Sequence, residues 1–165
     1  MRFKLLPSSI SLIIILIGFT FSATAQDRDG NLTQTMEWIK AKIEKYGGKS
    51  GGEYSYKVTY STTDCKIHIH QYLAGQNTPQ YNYQLNLYTF KEVKQNGKDI
   101  EILSVGTTVI GTSYSNKEQS AWSGIRISDF KIAETGVVER LNKAFQVASE
   151  MSKTRCGNTQ QFAID

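Results

Sequence analysis

His68 and His70 are the only histidines in the chain. They stand two apart in Cys65-Lys66-Ile67-His68-Ile69-His70-Gln71-Tyr72, where apolar and polar residues alternate. In an extended strand such a pair points the same way, about 6 to 7 Å apart. A His-x-His pair on a strand can therefore share a metal ion. A complete site needs a third ligand, from Asp64, a glutamate or elsewhere, and the spacing does not supply one. The simpler reading is two solvent-facing histidines on a sheet surface, with no metal bound.

Other reactive residue types give weaker patterns. Gly111-Thr112-Ser113-Tyr114-Ser115 lacks the second glycine and the strand-turn-helix setting of a nucleophile elbow. A cysteine nucleophile would need a free Cys65 beside a base, yet His68 points to the opposite side of the strand. The carboxylates are scattered, without a pair spaced for acid and base roles. Gly47-Gly48 and Gly51-Gly52 are not followed by Lys-Ser or Lys-Thr at phosphate-loop spacing. We therefore expect neither a catalytic residue nor a cofactor.

Tyrosine is the notable feature of composition, with nine residues. Tyr54, Tyr56, Tyr60, Tyr72, Tyr81, Tyr83 and Tyr88 all fall in strand-like stretches. Tyrosine suits half-buried strands, and on an exposed sheet face it can stack on sugar rings or line an apolar cleft. If a ligand face exists, the polar side of the second and third strands is the place for it. That side carries His68, His70, Tyr72, Asn82, Gln84 and Tyr88, with amides that can fix a polar ligand. Trp122 is a separate candidate at a strand start.

The elements that must position these residues lie downstream of a leader. Arg2 and Lys4 precede an apolar run over 10–21, and Ala23-Thr24-Ala25 is a small-x-small cleavage pattern. Residues 1–25 read as a secretory signal peptide, which makes the protein exported, periplasmic or secreted. Its contact with membrane is through that signal, before cleavage. Residues 26–165 suffice for one domain. The net charge of +4 falls to +2 once Arg2 and Lys4 are set aside. No run of Lys or Arg tracks a phosphate backbone, so nucleic acid is not an expected partner. Cys65 and Cys156 are the only cysteines, and an oxidising compartment favours their pairing. Such a bridge closes a loop of about 90 residues, worth roughly 4 to 5 kcal/mol in the loop-entropy picture.

Within 26–165, a polar lead-in over 26–30 precedes a helix over 33–46, with Leu32, Met36, Ile39, Ile43 and Tyr46 on one face. Gly47-Gly48 ends it, and 49–52 reads as a flexible loop. Strands follow over 54–60, 65–73 and 81–93. Asn96-Gly97 marks a type I′ hairpin. The returning strand covers 99–105 and continues over 107–110 through a bulge at Gly106. A loop is expected over 111–120 and a last strand over 121–130. The terminal helix covers 137–153, with Val138, Leu141, Ala144, Phe145, Ala148 and Met151 on its apolar face. Residues from 158 onward read as frayed. Successive strands without crossover helices predict an α+β domain: a curved antiparallel sheet of five to seven strands between an N-terminal helix and a closing amphipathic helix.

This layout resembles the PH-domain-like folds, in which a bent antiparallel sheet is closed by a C-terminal helix. The segment Val138-Glu139-Arg140-Leu141-Asn142-Lys143-Ala144-Phe145 also resembles the closing helix of small exported bacterial proteins of uncharacterised function. PH domains that bind phosphoinositides carry basic residues around the first hairpin. Here that hairpin is Ser61-Thr62-Thr63-Asp64 with only Lys57 and Lys66 nearby, so inositol-lipid binding is not implied. A lipocalin-like barrel is the alternative fold, although it wants about eight strands. The function expected is a non-enzymatic exported domain that binds a ligand or a protein. The alternatives are a lipocalin-like carrier of a small apolar molecule and a metal-dependent enzyme using His68 and His70.

Overall fold

A computed structural model describes residues 25–48, 53–132 and 134–156. Residues 1–24 of the expected signal peptide, the expected loop over 49–52 and the expected frayed end from 158 lie outside the described residues. The architecture is α+β. Helix α1 (Ala25–Tyr46) is followed by strands β1 (Tyr54–Ser61), β2 (Lys66–Leu73) and β3 (Tyr81–Asn86), and by a 3-10 turn over Leu87–Thr89. Strands β4 (Phe90–Asn96), β5 (Asp99–Ser104), β6 (Val109–Ser113), β7 (Gln119–Trp122) and β8 (Gly124–Ile127) come next, and helix α2 (Val137–Cys156) closes the chain. The strands form two antiparallel sheets, one of five in the order β1-β2-β3-β6-β7 and one of three in the order β4-β5-β8. No barrel closes, so the lipocalin-like alternative does not hold.

Several boundaries differ from expectation, each for a physical reason. The expected lead-in over 26–30 is helical, because extending a helix already anchored by Leu32 and Met36 costs little per residue. The long strand over 81–93 is broken. Leu85 and Leu87 keep the period of two, but the next buried residues, Phe90 and Val93, come at steps of three. The 3-10 turn absorbs that change, with the Leu87 N–H donating to the Cys65 carbonyl and the Thr89 hydroxyl to the Asn86 carbonyl. The hairpin after β4 is present, yet only Gly97 has positive φ (63°) and Asn96 pairs with Asp99. The turn is therefore centred on Gly97–Lys98, the type II′ pattern.

The expected loop over 111–120 is a second hairpin, in which β6 and β7 pair from Val109↔Trp122 to Thr112↔Gln119. The expected strand over 99–105 and its continuation over 107–110 fall in different sheets, and the strand over 121–130 is divided between the two. The chain changes sheet three times, at the 3-10 turn, at 105–108 and at Ser123. These three corners lie side by side. The Ser104 N–H donates to the Ser123 carbonyl, Val105 N–H to the Thr89 carbonyl, and the Thr108 hydroxyl to that of Thr89. Gly124 sits just past the last corner because a Cβ there would come within 2.7 Å of the Leu103 side chain and 2.9 Å of the Ile102 carbonyl.

The two helices cover the apolar inner faces. Helix α2 buries Val138, Leu141, Phe145 and Ala148, and Phe145 stacks on Phe90 at 5.1 Å between ring centres. Helix α1 buries Leu32, Met36, Ile39 and Ile43. Each helix also satisfies a strand N–H: Glu44 accepts from Val58 and Asn142 accepts from Val93, both at 2.8 Å. Such contacts blunt sheet edges. The Cys65–Cys156 disulfide ties the end of α2 to the start of β2, with Cα atoms 6.2 Å apart. Cys65 lies just outside the strand, at φ 52°.

Glu134 fastens the approach to α2. It accepts hydrogen bonds from Tyr46, from Lys42 at 3.0 Å and from Arg140 at 2.8 Å. The Tyr46 hydrogen bond first, then Lys42, hold its carboxyl down at about 2.

Phe145→Ala should cost about 3 to 5 kcal/mol by urea unfolding, against under about 0.5 for the exposed Val147→Ala. A loss below 1 kcal/mol would contradict the central role of the stack. Because the folded Glu134 pKa lies below its unfolded value of 4.5, its contacts stabilise fully above that value and are lost as pH falls towards 2. Melting temperature should therefore drop through that window, and less steeply in Glu134→Gln. Equal slopes in the two proteins would refute the assignment.

Candidate functional site

Strand alternation decides which residues can meet. The inward side of the five-stranded sheet is apolar and aromatic, with Tyr56, Val58, Ile67, Ile69, Tyr83 and Leu85 buried. Most of the tyrosines are used here. Gln71, also inward, donates to the Tyr56 hydroxyl (3.2 Å) and accepts from Tyr83 (3.3 Å), while Tyr56 accepts the Ser128 N–H (2.9 Å). Burial, then the neighbouring phenols, push the Tyr83 pKa up to about 12. Trp122 stands on this inner side at the rim, edge-on to Tyr83 at 5.8 Å and 42% exposed, away from the other candidates.

The outward side is a different surface. Register places Lys57, His70, Asn82 and Thr112 in one row across β1, β2, β3 and β6, and Thr59, His68, Gln84 and Ile110 in the next. Ser61, Lys66 and Asn86 form a third row, and Ser55 faces Tyr72 at the opposite end. None of the outward positions on these four strands is acidic. The face therefore offers cations, imidazoles, amides and hydroxyls with no carboxylate among them.

The two imidazoles lie parallel, ring centres 6.4 Å apart. Burial lowers the pKa of both; Lys66 lowers His68 further, while His68 and Lys57 lower His70 further. A hydrogen bond with Asn82 works the other way on His68. The rings are therefore neutral near neutral pH. The Nδ1 of His70 is buried without a protein partner. Lys57 caps the far end of the face with its ammonium 5.1 Å from the Tyr72 ring centre.

At its other end the face runs into a groove of ≈ 340 Å³ lined by Thr63, Asp64, Lys66, Gln84, Asn86, Tyr88, Arg155 and Cys156. The groove exists because the disulfide holds the end of α2 against the sheet. The Asn86 Oδ1 is also buried without a protein partner.

Of the six predicted ligand residues, His68, His70, Asn82 and Gln84 form one contiguous patch. Tyr72 stands at one end of it. Tyr88 is on the 3-10 turn, outside the patch but in the groove that Gln84 joins to it. Lys57, Lys66, Asn86, Thr112 and Arg155 were missed. Lys57 and Lys66 could have been placed by the same alternation that placed the histidines. Thr112 and Arg155 needed the pairing of β3 with β6 and the seating of α2. Among the described residues no cluster of three His, Cys, Asp or Glu could hold a metal ion, and the lysines beside the imidazoles oppose a cation there.

A second groove, ≈ 530 Å³, lies between the helices, where Trp38, Ala144 and Val147 meet Arg140 and Lys143. Among the described residues no helix is long and apolar enough to cross a membrane. Comparison with protein-family models, with characterised proteins and with solved structures finds no match.

In a titration followed by imidazole proton resonances, both histidines should have midpoints below 6.5. Lys57→Met should raise that of His70, and Asn82→Ala should lower that of His68. Midpoints at or above 6.5 in the wild-type protein would show that the rings are not partly buried as described.

Proposed function

We propose that this is an exported, non-enzymatic binding domain whose recognition surface is the outward face of the five-stranded sheet, with the groove beside the disulfide. One observation carries this reading. Across four strands the outward positions hold amides, imidazoles, hydroxyls and lysines without a single carboxylate, and register sets them side by side in rows. The face is solid and open, supported from behind by buried Ile67, Ile69 and Leu85, and rigid strands hold polar groups in fixed relative positions. The apolar run and cleavage pattern of the leader, together with the disulfide, support export.

The protein purified without reductant from its export compartment should carry a polar ligand in a native mass spectrum, lost on denaturation. Gln84→Ala combined with His70→Ala should abolish that extra mass while leaving the melting temperature within about 2 °C. An adduct kept by the double variant would place the ligand elsewhere, and an apolar adduct would favour a carrier.

A further inference from the structure

We propose that the outward face takes an acidic oligosaccharide, a chain of carboxylate-bearing sugar units lying along β2 from Tyr72 into the groove at Tyr88. The proposal rests on that face being the recognition surface. Four features of the face point to this ligand.

The first is shape. From Tyr72 to Lys66 the strand advances about 20 Å at roughly 3.3 Å per residue, and the groove continues the same line. A track of that form suits a chain better than a compact molecule. The second is charge. Lys57, His70, His68 and Lys66 succeed one another along the track, and no outward carboxylate opposes an anion. Asp64, in the turn before β2, is the one acidic residue lining the groove.

The third is hydrogen-bonding sense. Lysines and protonated imidazoles only donate, so they ask for anionic oxygens. The half-buried amides of Asn82, Gln84 and Asn86 on the same face both donate and accept, so they suit hydroxyl groups. A bare sulfate provides the first and not the second, and a neutral sugar the reverse. A sugar acid provides both. The fourth is the pair of tyrosines, Tyr72 and Tyr88, one at each end, whose rings can lie against the C–H faces of sugar rings. A nucleic acid fits less well, since the chain beyond its leader carries a net charge of only +2.

Binding should take up protons. The charged groups facing the imidazoles are Lys57 on β1 and Lys66 on β2, while Asn82, Gln84 and Thr112 on β3 and β6 are uncharged. Burial and the two lysines favour neutral rings in the free protein; a bound carboxylate favours the charged form, and affinity rises as pH falls through the histidine range.

The test is a titration of the ¹⁵N-labelled exported protein, disulfide intact, with an oligogalacturonate hexamer, followed by amide shifts. Maltohexaose and inorganic phosphate serve as controls. Shifts should concentrate on β2, β3 and the groove, with affinity at least about fivefold higher at pH 5.5 than at pH 7.5. Lys57→Gln with Lys66→Gln should weaken binding about tenfold. His68→Gln with His70→Gln should flatten the pH dependence, bringing the ratio of affinities at pH 5.5 and pH 7.5 to about one. Equal binding of maltohexaose at the same residues would overturn the acidic class and leave the recognition surface standing. Equal binding of phosphate would reduce the face to a charge patch and overturn the sugar. Shifts confined to another part of the molecule would overturn both readings. No shift with the uronate would overturn this proposal, and the native mass spectrum would then decide the surface by itself.

Discussion

Phe145 lies flat on Phe90 where the terminal helix crosses the first strand of the smaller sheet. Seating α2 there is the constraint on which the other parts depend. The two sheets are made of one chain that passes between them three times, and neither sheet closes on itself. Their apolar inner sides must be covered by something of fixed shape, because open apolar area is costly and a loose cover leaves voids. Helix α2 supplies the fixed shape. Asn142 ties it to β4, Glu134 ties its approach to α1, and the disulfide ties its end to β2.

The candidate face follows from that arrangement. With Ile67, Ile69 and Leu85 committed to the covered side, the period of two sends His68, His70, Gln84 and Asn82 outward with no choice of their own. The groove follows from the same seating, since the last turn of α2 forms one wall and the adjoining ends of β2 and β3 the other. Electrostatics then act on a surface that packing has already set. Burial first, and then the neighbouring lysines, favour the neutral form of both imidazoles.

The corners are where local reasoning met its limit. The stretch 81–93 is strand-forming throughout in residue type, and nothing in its composition announces a break. The break shows only as the step of three from Leu87 to Phe90, which becomes legible once both are known to be buried. Gly124 is similar. Its absence of a side chain is visible in the sequence, yet the reason lies in Leu103 and Ile102 across the sheet. The 111–120 segment reads as a loop because it is polar. It is an exposed edge hairpin, and an edge strand needs no apolar face of its own.

The sequence by itself determined the class of the fold, both helices with their buried faces, the two central strands and the pairing of the only two cysteines. These are properties of period and composition, which a residue expresses through its near neighbours. It also determined that the histidines share a side of one strand. Tertiary structure alone decided that the strands divide into two sheets, that β6 lies beside β3, and that Arg155 and Tyr88 wall the groove that Gln84 shares with the histidine face. Those outcomes depend on hydrogen bonds and packing between residues far apart in the chain. Their energies are fixed by geometry that no short window of sequence contains.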